Sequence, residues 1–178
     1  MPSIATTARH GRALHATAEL LSKLRIDCAF VGAVARSAWL GGEATGAIDV
    51  LALMAPQQKN QVAMMASNRG FRVDRDEIAR SEELDLVPLH FADEEGDVRV
   101  HVLVASNALY GRMVAASREA RFEERALRVV TPEDLALLML MGEDEVSVRR
   151  LAAMPGFDRH AYNERLVSIG LPGMVLAE

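Results

Sequence analysis

One carboxylate, Asp49, stands in the run ATGAIDVLALM (44–54), set among apolar residues on a strand-like stretch. Some fifty residues later the run VRVHVLVA (98–105) alternates. Strand geometry there puts Val98, Val100, Val102 and Val104 on one side and Arg99, His101 and Leu103 on the other. An Asp/His pair is chemistry for holding a cation, and it suits Zn²⁺ or Mn²⁺ better than Mg²⁺. Each residue also has a plainer reading: Asp49 as the cap of a nearby turn, His101 as a satisfied sheet histidine. In either case an acid out of bulk water must find a partner. Arg99, on the face of His101, is a candidate to pair with Asp49 or to bind an anion, or else is a solvated strand arginine.

The remaining residues offer little competing chemistry. His10, His15, His90 and His160 show no ligand spacing of the His-x-x-x-His kind and are read as structural. The single cysteine, Cys28, lies in the apolar run CAFVG and is read as a small buried hydrophobe, so neither a disulfide framework nor a cysteine zinc site can be built. There is no Gly-x-x-x-x-Gly-Lys loop, nucleophile elbow or dinucleotide fingerprint. A formal net charge of -5 disfavours broad nucleic-acid or membrane-surface binding. The N-terminus lacks the apolar core of a secretory signal and no run is long enough to span a bilayer, which makes the cytoplasm the expected compartment. Half the 178 residues are apolar, enough for a real core, and nine methionines outnumber the aromatic residues, so that core should be aliphatic and pliable.

The elements that must position Asp49 and His101 follow from local pattern. Leu14, Leu20, Leu21 and Leu24 recur at helical spacing, predicting a first helix that ends near Arg25. CAFVG (28–32) is read as a short buried strand, Gly32 as a tight turn, and AVARSAWL as a helix stopped by Gly41 and Gly42. AIDVLALM is a second buried strand ended by Pro56, and QQKNQVAMMASNRGF a surface helix with Gly70 at its C-cap. LDLVPLHF and VRVHVLVA are strands joined by ADEEGD, and Pro88 requires an edge or a bulge because it donates no ladder bond. RFEERALR (121–128) reads as a solvated mixed-charge face. Thr131, Pro132, Glu133 and Asp134 open a buried helix reaching about Met141. Two more helices follow, separated by PGFD. The expected architecture is α+β: a small mixed sheet flanked by helices, with C-terminal helices, in one domain of core about 10–141 and helical part about 142–178.

Four runs in order, FVGAVARSAW, ATGAIDVLALM, VRVHVLVA and VVTPEDLALLML, resemble the nucleotidyltransferase superfamily, and the chain is similar to its bacterial AbiEii-type and minimal nucleotidyltransferase-like members over about residues 10 to 170. The resemblance implies metal-dependent transfer of a nucleoside monophosphate from a nucleoside triphosphate to an acceptor. It implies Mg²⁺ or Mn²⁺, held by two acids at i and i+2 on one strand and a third on its neighbour. It also implies phosphate contacts at the turn and the helix after the first strand. Carried over residue by residue, Asp49 matches the second acid, while Ala47 takes the place of the first and His101 that of the third. Asp49 and His101 are thus the catalytic and metal-ligand candidates, and Gly32, Ala33, Arg36 and Thr45 the nucleotide-binding ones. Ala33 stands where relatives have a second glycine or a serine, Glu43 near an arginine position, and Met139 near a lysine position.

Two function classes follow. The first is a nucleotidyltransferase-like protein whose activity is impaired or lost with two of three acids replaced, its partner a nucleoside triphosphate. The second is a catalytically inactive scaffold acting through a protein partner or a second copy, as a pseudoenzyme or a toxin-antitoxin-like component. The apolar C-terminus SIGLPGMVLAE motivates it.

Overall fold

The computed structural model describes residues 1–81, 85–94 and 96–173. Thr7 caps the first helix by accepting from the His10 amide, and β1 (Ala5–Thr6) leads into α1 (Ala8–Lys23). Next come β2 (Cys28–Phe30), α2 (Gly32–Leu40), β3 (Glu43–Ala44) and β4 (Ile48–Ala52). A 3-10 turn at Pro56–Gln58 ends β4's run and opens α3 (Lys59–Ser67). Then follow β5 (Phe71–Arg72), α4 (Arg75–Arg80), β6 (Leu86–Asp93), β7 (Gly96–Val104) and α5 (Ala108–Ala116). A hairpin of β8 (Arg118–Phe122) and β9 (Arg125–Val129) precedes α6 (Pro132–Met141), α7 (Glu145–Ala152) and α8 (Arg159–Ser168).

The main sheet is mixed, in the order β5-β6-β7-β4-β2-β9-β8. β4 runs parallel to β7 and antiparallel to β2, and β2 is parallel to β9. The α+β class with a mixed sheet is as expected, but the sheet is larger. RFEERALR is not merely a charged face: Ala120, Phe122, Leu127 and Val129 alternate inward along β8 and β9 while the charges point out. Period-2 burial was masked there by the number of charges. β1 with β3, β5 and α4 also escaped the sequence reading, because two-residue strands and a six-residue helix carry no periodicity.

Pro88 is an edge residue in effect. β5 pairs with β6 only at Phe91 and His90, so the donor that Pro88 lacks would face no strand. The expected hairpin loop of β6 and β7 is tight, Asp93 pairing with Gly96; Glu95 and the first residue of LDLVPLHF lie outside the described residues.

The alternation of β4 and β7 makes the two faces of the sheet. Val50, Val100 and Val102 are fully buried on one side, beneath α1 and α3. Asp49, Leu51, His101 and Leu103 lie on the other, which α5 and α6 border. Thr131 caps α6 as predicted, accepting from the Asp134 amide at 3.2 Å. The two buried acids after it are structural. Asp134, fully buried, takes Arg165 Nε of α8 at 2.5 Å, and Glu133 accepts the Asp158 amide at 2.8 Å. These contacts fasten α8 to α6, and the hydrophobic core continues from the sheet into Val148, Leu151, Tyr162 and Leu166. Residues 174–178 of SIGLPGMVLAE lie outside the described residues.

Candidate functional site

Register brings the two sequence candidates together. Asp49 and His101 are directly paired across the parallel strands β4 and β7, and parallel neighbours point their side chains to the same face. His101 Nδ1 lies 2.7 Å from Asp49 Oδ1, with both side chains about one-third exposed. An ionised carboxylate only accepts, so Nδ1–H donates and Nε2 is left without a hydrogen bond among the described residues.

The other carboxylate oxygen lies in the space left by the missing side chain of Gly32. Val31 donates its amide to the Asp49 carbonyl at 3.0 Å, which draws the β2–α2 junction against β4. Gly32 opens α2 at φ +55°, and a Cβ built on it would lie 2.6 Å from Asp49 Oδ2. The position demands glycine twice, for its left-handed backbone and for the space its missing side chain leaves. The turn predicted from FVGA is therefore a cradle for the carboxylate of Asp49.

The remaining candidates are placed elsewhere. Ala33 is the second residue of α2, half-buried beside Gly32. Arg36, a turn further along α2, acts on Asp144 at the head of α7: that carboxyl is held below its usual range chiefly by the Ser147 hydroxyl and amide, with Arg36 and Arg150 adding to the effect. Thr45 is exposed, lies in the turn between β3 and β4, and lines a small crevice with His10, Leu14 and Ile48. Arg99 shares the outer face with His101 but does not pair with Asp49, whose partner is His101.

The other histidines have local partners. His10 bridges the Thr7 hydroxyl at 3.1 Å and the Gly46 carbonyl at 2.8 Å, so it steadies the turn that delivers Asp49. His90 meets Glu77 at 2.8 Å, and His15 and His160 each meet a glutamate one turn on. Cys28 is inert, its thiol pushed up to about 11 chiefly by burial.

Among the described residues no group of three or more His, Cys, Asp or Glu side chains is arranged to hold a metal ion. The donor set at the site does not fit Mg²⁺, which is bound by several hard oxygens, because it offers one carboxylate and one of its oxygens already engages an imidazole. Sequence reading missed the wall beside the pair. Val31, Leu51, Leu103 and Leu138 line a cavity of about 330 Å³ with Tyr110 and Asn107 on its rim. The run SNALYGRM carried one usable signal, Asn107 as N-cap of α5, where it accepts the Tyr110 amide at 2.9 Å.

No protein-family model and no curated protein matches the sequence. Solved structures do match in shape. A nucleotidyltransferase-like antigenic protein from Paracoccidioides brasiliensis superposes with a TM-score of 0.54 at 14% identity, covering 92% of this chain and 88% of that one. The lincosamide antibiotic adenylyltransferase LnuA, solved with lincomycin bound, gives 0.53 at 14% identity over 85% of this chain and 99% of its own. ANT(2″)-Ia, solved in complex with adenylyl-2″-tobramycin, gives 0.50 at 16% identity, with 90% of each chain covered. Identities this low speak for architecture alone, and in its architecture, a mixed sheet flanked by helices, this chain has the fold of these nucleotidyltransferases.

Proposed function

We propose that this protein binds a ligand of the nucleotide class at the corner formed by Gly32, Asp49 and His101, and that metal-dependent transfer of a nucleoside monophosphate is lost or reduced by several orders of magnitude. The reading makes it a minimal, AbiEii-like nucleotidyltransferase relative with degenerate acids. The observation that carries it is the 2.7 Å contact between His101 Nδ1 and Asp49 Oδ1. It puts a nitrogen base against the one acid of the site, where divalent-metal phosphoryl chemistry calls for several carboxylates. With Ala47 two residues before Asp49 and His101 opposite it, the charge that would hold two cations against a triphosphate is missing. What the site keeps is a rigid turn, an oriented imidazole and a cavity. The known adenylyltransferases of like fold support a ligand of the nucleotide class.

The test is a pair of measurements on the intact chain. Calorimetric titration with ATP, GTP, CTP and UTP in Mg²⁺, in Mn²⁺ and in EDTA reads binding, and pyrophosphate release from the same nucleotides reads transfer. Binding that survives EDTA, is weakened by Asp49→Asn and comes with no metal-dependent pyrophosphate release is the expected result. Pyrophosphate release that needs Mn²⁺ or Mg²⁺ and disappears in Asp49→Asn would overturn the loss of activity.

A second reading, a silent scaffold for a protein partner or a second copy, draws on Met141, Val146 and Val167, which are exposed apolar residues on the last three helices. It gains if all titrations are silent and the chain sediments as a dimer or larger.

A further inference from the structure

We propose that the ligand of this site is an uncharged nucleoside, bound without metal and without a triphosphate, with its base in the cavity beyond Leu51 and Leu103 and a ribose hydroxyl on His101 Nε2. The inference rests on the proposed reading of the Asp49–His101 corner and deepens it by naming the ligand.

The position of the cavity follows from strand period. Leu51 follows Asp49 by two residues on β4, and Leu103 follows His101 by two on β7, so the pair and the cavity floor share a face about 7 Å apart. Val31, next to the Gly32 cradle, and Leu138 of α6 complete the apolar walls. An apolar slot of about 330 Å³ with a few convergent polar groups at one edge is the form of a small-molecule site, near the lower end of the usual size range. A nucleobase offers two flat apolar faces to such walls, and Tyr110 on the rim offers a ring to stack on.

The polar groups left over match a nucleoside. The Tyr110 hydroxyl makes no hydrogen bond among the described residues, and Asn107 uses its Oδ1 on the Tyr110 amide, leaving its NH₂ for a ring nitrogen or carbonyl of the base. At the other end His101 has Nδ1 committed to Asp49 and Nε2 remaining as a hydrogen-bond partner for a sugar hydroxyl, which can donate or accept.

Charge gives the triphosphate no advantage over its nucleoside. Among the described residues Asp85 is the one ionisable acid on the cavity wall; it receives the Ser106 hydroxyl at 2.7 Å and faces Lys59 at 3.6 Å. Asp49 is answered by His101. The walls therefore carry no surplus positive charge to balance the roughly four negative charges of a nucleoside triphosphate without metal. Arg99 lies on the far side of His101 from the cavity, two residues before it where Leu103 is two after.

The experiment titrates the full chain with adenosine, guanosine, cytidine and uridine in EDTA, then with the triphosphate and the 2′,3′-dideoxy form of the nucleoside that binds best. Saturable binding of at least one nucleoside, unchanged by Mg²⁺ and no weaker than its triphosphate, is expected. Tyr110→Ala, and separately Leu138→Trp to fill the slot, should weaken it about tenfold or more, while the distant exposed Arg149→Ala leaves it unchanged. The dideoxy form should bind about tenfold more weakly to the parent protein and equally to His101→Ala, the cycle that isolates the hydroxyl contact. Three results would overturn the proposal: silence with all four nucleosides, a triphosphate that binds tenfold tighter than its nucleoside, or binding indifferent to both cavity variants while circular dichroism shows them folded. Triphosphate binding with nucleoside silence would leave the proposed function standing and remove only this inference.

Discussion

Replacing Gly32 by alanine should loosen the site and the fold together, and the size of the effect can be worked from the geometry. The added Cβ would sit 2.6 Å from Asp49 Oδ2, so the carboxylate must retreat by roughly 0.8 Å to reach ordinary van der Waals contact. Its other oxygen is the acceptor for His101 at 2.7 Å, and a rigid carboxylate cannot withdraw one oxygen without pulling or turning the second. A charge-assisted hydrogen bond is worth about 1.5–3 kcal/mol, and with both side chains about one-third exposed solvent screening reduces that to about 1. The left-handed backbone adds about 1–2 kcal/mol for any residue with a Cβ. The sum is about 2–3 kcal/mol.

Gly46→Ala supplies the control. It meets nothing within 4 Å and has φ +86°, so it should show only the backbone part. Urea denaturation, followed by the fluorescence of the single tryptophan, Trp39, whose indole donates to the Val130 carbonyl at 2.8 Å, reads both variants. Gly32→Ala should exceed Gly46→Ala by about 1 kcal/mol or more at unchanged m-value, and the excess should vanish in an Asp49→Ala background. Equal losses for the two glycines, or an excess that persists without Asp49, would refute the cradle.

Three further outcomes follow from the structure. Asp134→Ala strands Arg165, whose side chain is 15% exposed, and should destabilise the protein by about 3–5 kcal/mol in the same urea assay, far more than Glu145→Ala at the exposed Arg149 pair. His101→Asp sets two carboxylates opposite each other on β4 and β7, so the melting temperature should fall and millimolar Mn²⁺ should restore part of the loss, while the parent protein does not respond to Mn²⁺; no Mn²⁺ response in the variant would refute the placement of position 101 at an acid site. Cys28, raised from 9.0 to about 11 mainly by burial, keeps its proton in the folded chain where the unfolded chain loses it, so alkylation below pH 9 should run about a hundredfold slower than for a free thiol. By the same linkage its contribution to stability is constant below about pH 9 and declines as pH rises toward about 11, a decline that Cys28→Ser should abolish.

The sequence by itself determined the pieces whose signals are local. Thr131–Pro132 announced α6 because a cap and a proline act within one turn, and the alternation of VRVHVLVA announced both the strand and the face on which His101 would lie. The glycine after CAFV marked the turn that lies against Asp49. Tertiary structure decided the rest. The distance between Asp49 and His101 depends on the parallel register of strands separated by fifty residues, which no local pattern encodes. Arg36 was a phosphate-contact candidate by its place after the turn, and the packing of α2 on α7 also brings its charge near enough to Asp144 to help hold that carboxyl below its usual range. Thr45 sits in the turn before β4, where it lines a crevice with His10 and Ile48. The cavity of Leu51, Leu103, Leu138 and Tyr110 exists only where α5 and α6 border the sheet. A carboxylate and an imidazole could be named from spacing alone, but whether they share an ion or bond to each other depends on a few ångströms that only the assembled sheet sets.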